Sequence, residues 1–340
     1  MESAILDRYR KVPAIHTEMS AEVAAITEGC GIFDRDFCDR LILSGEDRAR
    51  FLHGQVTCAV KDLAPGEGTY GFLATLKGRV EVELVVLATE NELWLDLPPG
   101  TLDQVRTRLA KYVIADRIEF VVPETTTLTL IGPGTFDLVA EISGQPTDQL
   151  PTESWHHRTA EIAGEPVRIV REPSGSAATG GAGGMSIWRP KGRGPRVDQE
   201  IQSAGGVRVG WRAFERLRVE QGRPLWGVDF GDDTFPQETG LEDAVDYAKG
   251  CYLGQEVIAR IHYRGGVQRH MRRLSLSALV EPGLDLFAED RQVGRVTSVA
   301  GSSAGETLGL GVVHQRAAVG TTLEVRDGEK TLATATIAPI

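Results

Sequence analysis

The 340-residue chain lacks any excess of basic residues. It has 37 lysine and arginine residues against 48 aspartate and glutamate residues, which gives a formal net charge of −11 and a pI near 5.2. A dedicated nucleic-acid-binding protein carries a basic stripe and a high pI, so this class is disfavoured. The same negative charge disfavours electrostatic attachment to a membrane surface.

Long apolar runs and paired cysteines are also missing. No run approaches the roughly 20 apolar residues that a membrane-spanning helix needs, and residues 1–11 show no signal-peptide core. The four cysteines are Cys30, Cys38, Cys58 and Cys251. They form no Cys-x-x-Cys pair, which is typical of a reducing compartment. We therefore expect a cytoplasmic protein with no membrane partner.

Common catalytic and metal-binding signatures are absent from the sequence. There is no Gly-x-Ser-x-Gly elbow, which disfavours the hydrolases that place a nucleophilic serine there. The seven histidines are His16, His53, His156, His157, His262, His270 and His314. None has the spacing of a His-x-x-x-His or Cys/His site, so we expect no metal site and no iron–sulfur cluster held by this chain alone.

Helix and strand patterns alternate in the first half of the chain. Apolar periodicity predicts helices over 21–28 and 102–112, and strands over 40–43, 70–75, 80–88 and 127–131. Gly132-Pro133-Gly134 follows the last of these strands and is interpreted as a turn rather than a phosphate-binding loop, because its spacing fits neither phosphate motif. These patterns predict an α+β fold.

The end of the chain has a different pattern, with short strands separated by turn residues. Strands are predicted over 273–277, 293–299, 308–313, 323–326 and 331–337, and Asp327-Gly328 predicts a hairpin turn between the last two. We assign residues 269–340 to a small antiparallel β-barrel. Residues 1–268 form the remaining region.

Glycine is over-represented, with 39 residues in the chain, above the usual share of about 7%. It is concentrated in Pro173–Gly184, where only small and polar residues occur. Since nothing in this stretch is large enough to pack, we expect a mobile loop.

The segment richest in chemistry runs from Lys249 to Glu256. It reads Lys249-Gly250-Cys251-Tyr252-Leu253-Gly254-Gln255-Glu256. Two glycines bracket the cysteine and give the backbone freedom to turn. A helix predicted from Gln255 to Ile261 places Glu256 and Arg260 one turn apart. A helix N-terminus and the Lys249 ammonium both favour a thiolate, so we interpret Cys251 as a reactive, partly exposed thiol. The other three cysteines are interpreted as buried, unreactive side chains.

Glu220 lies in the last turn of a predicted helix that begins near Trp211. The helix macrodipole disfavours a carboxylate at that end, so Glu220 needs a partner. Its two oxygens could accept parallel N–H bonds from a heterocycle such as a pterin, or it could pair on the surface with Arg216 or Arg223. The spacing does not choose between these alternatives.

Arginines are clustered between Arg260 and Arg273. The cluster includes Arg260, Arg264, Arg269, Arg272 and Arg273. In an acidic chain it could mark a docking site for an anionic ligand or partner, or it could be a solvated strand end.

At these residues the sequence resembles the YgfZ family of folate-binding proteins, which are relatives of the glycine cleavage T-protein. Residues 249–256 match the Lys-Gly-Cys-Tyr-x-Gly-Gln-Glu signature in full, and the following residues, up to Arg260, also suit the family. Residues 31–34, 43–47 and 51–55 are similar to the start of the folate-binding region. Residues 216–222 resemble the T-protein stretch whose glutamate holds the pterin, a role that would fall to Glu220.

The resemblance implies a T-protein-like fold of two interleaved α/β lobes, with a C-terminal antiparallel barrel and folate held near the centre. It implies an accessory factor, not a conventional enzyme, that binds tetrahydrofolate or a derivative. Such a factor maintains or assembles iron–sulfur clusters in client enzymes, including tRNA-modifying ones, and would act through Cys251. No direct contact with nucleic acid is implied.

One departure bears on the alternative function, a tetrahydrofolate-dependent aminomethyl or one-carbon transferase. T-proteins have an Asp-Asp pair, and an acid there assists transfer, whereas the matching residues here are Val82 and Glu83. Side chains alternate between the two faces of a strand, so either Val82 or the pair Glu81 and Glu83 faces the pocket. If Val82 faces it, the general acid or base is missing.

Overall fold

The structure is a computed structural model that describes Asp7, Tyr9, residues 11–301 and residues 305–339. Within these residues no helix is both long enough and apolar enough to cross a bilayer. The α-helices are α1 (Met19–Glu28), α2 (Arg48–His53), α3 (Leu102–Ala110), α4 (Thr135–Ser143), α5 (Gly194–Ser203), α6 (Trp211–Glu220) and α7 (Gln255–Arg264). Short 3₁₀ helices span Thr147–Gln149, Ala177–Thr179, Pro236–Glu238 and Glu242–Ala244.

The strands form two open sheets and a barrel. In chain order they are β1 (Gly31–Asp34), β2 (Asp39–Ser44), β3 (Gly68–Ala74), β4 (Val80–Ala88), β5 (Glu92–Leu97), β6 (Glu119–Val121), β7 (Thr125–Ile131), β8 (His157–Ile162), β9 (Glu165–Ser174), β10 (Ala182–Pro190), β11 (Val207–Arg208), β12 (Arg269–Leu276), β13 (Asp285–Ala288), β14 (Arg291–Gly301), β15 (Thr307–His314), β16 (Thr322–Asp327) and β17 (Lys330–Ala338). The helices and strands predicted above for the first half of the chain are present, with ends that differ by at most two residues.

The two open sheets define two lobes that are interleaved along the chain. The first lobe has the strand order β11-β1-β7-β10-β9-β8 and the second has β3-β4-β5-β2-β6. Along the described chain, α1 and β1 belong to the first lobe, β2 to β6 to the second, and β7 to α6 to the first again. Trp226, Phe230, Tyr252 and Ile258 then pack into the core of the second lobe. The interleaved arrangement predicted for the fold is therefore confirmed.

The third body is a closed barrel of β12-β15-β14-β13-β16-β17, in which all paired strands are antiparallel. Leucine, valine and alanine side chains fill its interior. β13 was not predicted, because it has only four residues and its pairing with β14 contains a register shift. The predicted barrel is confirmed.

A buried polar network fastens the barrel to α6. Arg218 is fully buried, and its Nη1 donates to Asp229 Oδ2 at 2.8 Å. Ser298 of β14 donates to the other oxygen of Asp229 at 2.7 Å. Each charge has a partner, so the cost of burying it is offset.

The expectation that nothing packs in Pro173–Gly184 is wrong. Its first and last residues belong to β9 and β10, and a 3₁₀ turn joins them. Ser176 caps this turn by accepting from the Ala178 N–H at 3.1 Å, and Thr179 is fully buried. Small side chains allow the turn to sit against the strands, and glycines supply the positive φ angles that a reversal of this tightness needs.

Candidate functional site

A cavity lies between the two lobes, enclosed by the strands β1 and β9 of the first and β4 and β5 of the second. The volume open to the centres of water molecules is about 50 Å³. A water needs about 10–15 Å³ by this measure, so the cavity has room for roughly three to five waters. A bound heterocycle would displace this water and contact the walls directly.

Aromatic side chains form much of the wall. Tyr70 and Trp155 stack with ring centroids 5.8 Å apart, and Phe33 and Phe214 stack at 4.0 Å. All four rings line the cavity. Stacked aromatic walls are suited to a planar ligand.

One end of the cavity is charged. Arg35 Nη2 donates to Asp96 Oδ2 at 3.1 Å, and Arg40 Nη2 lies 3.1 Å from Asp96 Oδ1 on the other side of the carboxylate. Arg35 Nη1 is buried and has no hydrogen-bond partner among the described residues. Arg35 lines the cavity, and Arg40 is not among the described lining residues. Arg35 therefore lies at the cavity with one nitrogen fixed by Asp96 and a second nitrogen sealed from solvent without a partner among the described residues.

Glu172 of β9 is a second buried carboxyl group at the cavity. Its Oε2 accepts from Ser176 Oγ at 2.6 Å, and its Oε1 accepts from Ser186 Oγ at 2.5 Å. Burial raises the pKa of Glu172, while nearby Arg35 opposes the rise. The packed turn of Ser176 thus holds an acidic group at the wall.

Of Glu81, Val82 and Glu83, only Glu83 is among the described residues that line the cavity, and Glu81 instead accepts from Arg108 Nε at 3.2 Å. Val82 is fully buried in the core of the second lobe, whereas Glu83 lines the cavity. Glu83 Oε2 accepts from Arg223 Nη2 at 2.8 Å and from the Tyr70 hydroxyl at 2.7 Å. An acid is therefore present at the cavity, but it is held in a buried ion pair with Arg223.

Glu220 ends α6, as the sequence predicted, and forms the surface pair. Its Oε1 accepts from Arg216 Nε at 3.1 Å, and both side chains are partly exposed. Among the described residues that line the cavity, Glu220 is not present. Its role in holding a pterin stays a prediction.

The Lys249 ammonium does not take the place that the sequence predicted beside the thiol. Its Nζ donates to the carbonyl oxygens of His53, Val56 and Cys58 at 2.7, 2.7 and 2.6 Å. Burial lowers the pKa of Lys249 to about 8. Lys249 therefore tethers its own loop to the chain that follows α2.

Cys251 lies on that tethered loop and is exposed. Gly254 caps α7 with a φ of 83°, and a Cβ there would clash with the Thr75 carbonyl oxygen. Gly250 has no such requirement: a Cβ there would come no closer than 3.8 Å, to His53 Nε2. Of the two glycines that bracket the cysteine, only Gly254 is demanded by the backbone.

The remaining residues of the signature build the loop and the start of α7. Tyr252 is buried against the second lobe, and the Lys249 Nζ lies 5.0 Å from the centre of its ring. Gln255 begins α7, and Glu256 and Arg260 are exposed on it. The buried residues of the signature therefore anchor the loop to the second lobe, while Cys251 and the exposed side chains of α7 remain open to solvent.

The structure does not bring all predicted site residues into one place. The loop of Cys251 packs beside the turn between β3 and β4, and among the described residues of the cavity wall Cys251 is not found. The cavity contains a different thiol, Cys38, whose pKa burial raises to about 12. Cys30 and Cys58 are buried as predicted.

The cavity residues Arg35, Asp96 and Glu172 were not found from the sequence. Asp96 carried a usable signal, because an acid between Leu95 and Leu97 in an apolar strand requires a buried partner. The pairing itself joins residues 61 positions apart and depends on the tertiary structure.

A second cleft of about 500 Å³ separates residues 226–234 from the barrel. At its edge Arg269, from the predicted arginine cluster, bonds Glu238 through Nε at 3.0 Å. This arginine is therefore engaged inside the chain, whereas Arg260 and Arg264 are exposed. No three histidine, cysteine, aspartate or glutamate side chains in the described part of the chain could together hold a metal ion.

The fold is that of the aminomethyltransferase-like proteins. The model of the GCVT N-terminal domain matches residues 5–249, and the chain belongs to this family. A crystal structure of glycine cleavage system aminomethyltransferase T from Bartonella henselae covers 99% of this chain and 96% of its own, with a TM-score of 0.82 and 19% identity. It has the same T-protein-like fold.

Two relatives are similar along most of the sequence. A chloroplastic protein of Arabidopsis thaliana, named only as a candidate transferase, is 28% identical over 316 residues, which are 88% of this chain and 69% of the relative. An aminomethyltransferase of Thermosynechococcus vestitus is 25% identical over 311 residues, which are 89% and 82% of the two chains.

Proposed function

We propose that this protein binds tetrahydrofolate, or a derivative, in the central cavity and acts as an accessory factor for iron–sulfur proteins. It would support assembly or repair of the clusters in client enzymes, including tRNA-modifying ones, and Cys251 would be the group that acts on them. This is the function of the YgfZ family, whose signature residues 249–256 match in full.

The cavity residues fit the chemistry of a folate head group. A pterin is planar and carries both donors and acceptors, and the cavity is lined by stacked rings and by the polar residues Arg35 and Glu172. Bound folate would supply a one-carbon carrier or a reduced ring at this position. The residues themselves would bind and orient it and exclude water.

The observation that carries the proposal is that the Glu83 carboxylate and the Cys251 thiol lie in separate places: Glu83 is among the described residues that line the cavity, and Cys251 is not. The acid that β4 places at the cavity, Glu83, accepts two hydrogen bonds on Oε2 and one from the Trp226 N–H on Oε1 at 3.4 Å, and it is ion-paired with Arg223. A general base needs a free lone pair within reach of the substrate proton. The thiol, by contrast, is exposed on a separate surface, where a protein partner can reach it.

The experiment is complementation of a bacterial strain that lacks its own family member, scored by iron–sulfur-dependent methylthiolation of tRNA. We expect wild-type protein to restore the modification and Cys251→Ser to restore little of it, because serine lacks the thiol. Cys30→Ser is the matched control, since it removes a buried thiol, and it should rescue.

Equal rescue by Cys251→Ser and wild type would overturn the thiol proposal. Thermal unfolding of each variant shows whether a loss of rescue reflects a loss of folding. Because Cys251 is exposed, its replacement by serine should leave the unfolding midpoint unchanged.

The alternative is a tetrahydrofolate-dependent aminomethyl or one-carbon transferase. The observation in its favour is that β4 presents Glu83, an acid, to the cavity. In that case Glu83→Gln would abolish the one-carbon transfer and Cys251→Ser would have no effect, which is the reverse of the pattern for the accessory factor.

The cytoplasmic location also stays a proposal, supported by four free cysteines.

A further inference from the structure

We propose that the side chain of Trp155 is a gate of the central cavity, which swings away from Tyr70 to admit a planar ligand and closes behind it. This inference rests on the proposed binding of folate in the same cavity. It makes Trp155 a positioning residue that sets the rates at which the ligand enters and leaves.

Trp155 has a backbone conformation that a tryptophan rarely adopts. It is the third residue of the turn 153–156, in which the His156 N–H donates to Glu153 O at 3.0 Å, and its φ is 62°. Glycine or asparagine is usual at a turn position with a positive φ, because a Cβ there crowds the backbone. Strain of this kind persists only where the surroundings hold the residue, and it is concentrated at functional sites.

The two other described residues that have a positive φ and are not glycine have an ordinary reason for it. Ala163, with a φ of 52°, lies in the two-residue turn between β8 and β9. Glu289, with a φ of 54°, lies in the two-residue turn between β13 and β14. Such hairpin turns favour positive φ angles. Trp155 lies before β8 and outside these hairpins, so the presence of a large ring at this position needs another explanation.

The position of the ring provides that explanation. Trp155 lines the cavity, and its ring stacks on that of Tyr70, another residue of the wall, with centroids 5.8 Å apart and planes inclined by 23°. The Trp155 N–H donates to Arg171 O at 3.0 Å, which ties the turn to β9. The backbone is therefore anchored, and the side chain is the part that can move.

Trp155 is the least constrained of the four stacked aromatic side chains in the wall. Phe33 and Phe214 are 0% and 2% exposed and stack on each other. Tyr70 is held by its hydroxyl, which donates to Glu83 Oε2 at 2.7 Å. Trp155 is only half-buried, and within the described part of the chain no hydrogen bond holds its indole. Its side chain can therefore rotate towards solvent.

The size of the cavity makes such a movement necessary. About 50 Å³ is open to the centres of water molecules, which is room for only a few waters. The fused rings of a pterin contain more than twice as many non-hydrogen atoms, so a wall has to give way. The strands of the wall are fixed by their ladders, whereas Trp155 lies in a turn between the cavity and solvent. Its outward rotation would widen the cavity and open a path into it.

A gate differs from a simple contact in its effect on rates. A ligand enters only while the gate is open, so the apparent association rate constant is reduced by the fraction of closed molecules. Closure over the bound ligand slows its release. Removal of the ring should therefore speed both entry and exit, whereas loss of a mere contact speeds exit alone.

The test is surface plasmon resonance on the full chain with tetrahydrofolate, under anaerobic conditions, which measures both rate constants. In Trp155→Ala we expect the association and dissociation rate constants each to rise about tenfold, with a much smaller change in Kd. Trp155→Phe keeps a smaller ring at the gate. Its two rate constants should lie between those of wild type and Trp155→Ala.

Trp94→Ala is the matched control. Trp94 is also half-buried, and its ring lies against that of Trp188 with centroids 6.1 Å apart. It is not among the described residues of the cavity wall. Its replacement should leave both rate constants for tetrahydrofolate at the wild-type values, and the thermal unfolding midpoint shows whether each variant is folded.

The outcomes separate this inference from the proposed function. If wild type binds tetrahydrofolate and Trp155→Ala keeps the wild-type association rate constant, the gate is overturned and folate binding stands, even where dissociation is faster. If Trp155→Ala does not fold, Trp155→Phe decides by the same criterion, because a smaller ring should still raise both rate constants. If wild type does not bind tetrahydrofolate, the proposed folate function falls, and this inference falls with it.

Discussion

At the scale of single residues, the site contains buried charged side chains that form ion pairs with one another. Arg35 with Asp96, and Arg223 with Glu83, bring guanidinium groups from the first part of the chain and from the end of α6 to carboxylates on β5 and β4. A buried charge persists only when it has a partner, so each pair fixes the relative position of two distant segments.

The pair Arg223 and Glu83 gives a residue-scale prediction. Arg223→Met should lower the free energy of unfolding by about 3–5 kcal/mol, because it leaves the Glu83 carboxylate buried and unpaired. The double change Glu83→Gln with Arg223→Met should be less destabilised than Arg223→Met alone. Urea unfolding of wild type, of both single variants and of the double variant measures the coupling between the two side chains.

Arg106→Met is the matched control for this cycle. Arg106 and Asp103 form an ion pair in which both side chains are mostly exposed, and such pairs contribute about 0–1 kcal/mol. Effects of equal size at both sites would contradict the view that burial makes the inner pair costly to break.

At the scale of elements, the segment from Lys249 to α7 is held from two sides. The Lys249 ammonium donates to carbonyl oxygens at the last residue of α2 and just after it, and Leu253 N–H donates to Gly54 O at 3.1 Å. On the other side, Gly254 fits against Thr75 in the turn between β3 and β4. Contacts on both sides therefore hold this loop in place, with Cys251 exposed on it.

Gly254 and Gly250 give a matched pair of substitutions. Gly254→Ala should reduce the free energy of unfolding by about 1–3 kcal/mol, because alanine is strained at a φ of 83° and its Cβ meets Thr75. Gly250→Ala should be tolerated, since its Cβ makes only ordinary contact. Denaturant unfolding measures both.

The rate at which an alkylating reagent modifies Cys251 checks the local effect of these two changes. We expect it to change in Gly254→Ala and to match wild type in Gly250→Ala. Equal rates and stabilities in the two variants would show that the loop does not depend on the close approach at Gly254.

At the scale of the whole molecule, hydrogen bonds of a few buried polar side chains join the two lobes and the barrel. The network of Arg218 and Asp229 fastens the barrel to α6. His157 joins the two lobes: its Nε2 lies 3.0 Å from Ala88 O, and its Nδ1 lies 2.8 Å from Arg168 Nη1. Since an arginine can only donate, Nδ1 accepts and Nε2 carries the proton of the neutral ring.

This contact predicts sensitivity to acid. Burial, assisted by Arg168, lowers the pKa of His157 from 6.5 to about 4. The unfolded chain binds this proton more readily, so stability that is present above pH 6.5 is lost as the pH falls towards 4. Between pH 7 and pH 4.5 the contribution of His157 to the free energy of unfolding should fall by about 2 kcal/mol.

Urea unfolding at several pH values, on wild type and on His157→Gln, measures this effect. Glutamine does not titrate, and it can still accept from Arg168 and donate to Ala88. The variant should therefore lose less stability in acid than wild type. Parallel pH profiles for the two proteins would exclude His157 as the source.

Many of the helices and strands, the barrel, the family resemblance and the segment that carries Cys251 can be predicted from the sequence alone. These depend on local periodicity, turn residues and a contiguous motif, which are properties of neighbouring residues. Only the tertiary structure decided that Glu83 rather than Val82 faces the cavity, that Lys249 binds carbonyls instead of the thiol, and that the glycine-rich stretch is packed. It also brought Arg35 to Asp96. These outcomes depend on contacts between residues far apart in the chain, and the energy of a buried charge depends on which partner the fold places beside it.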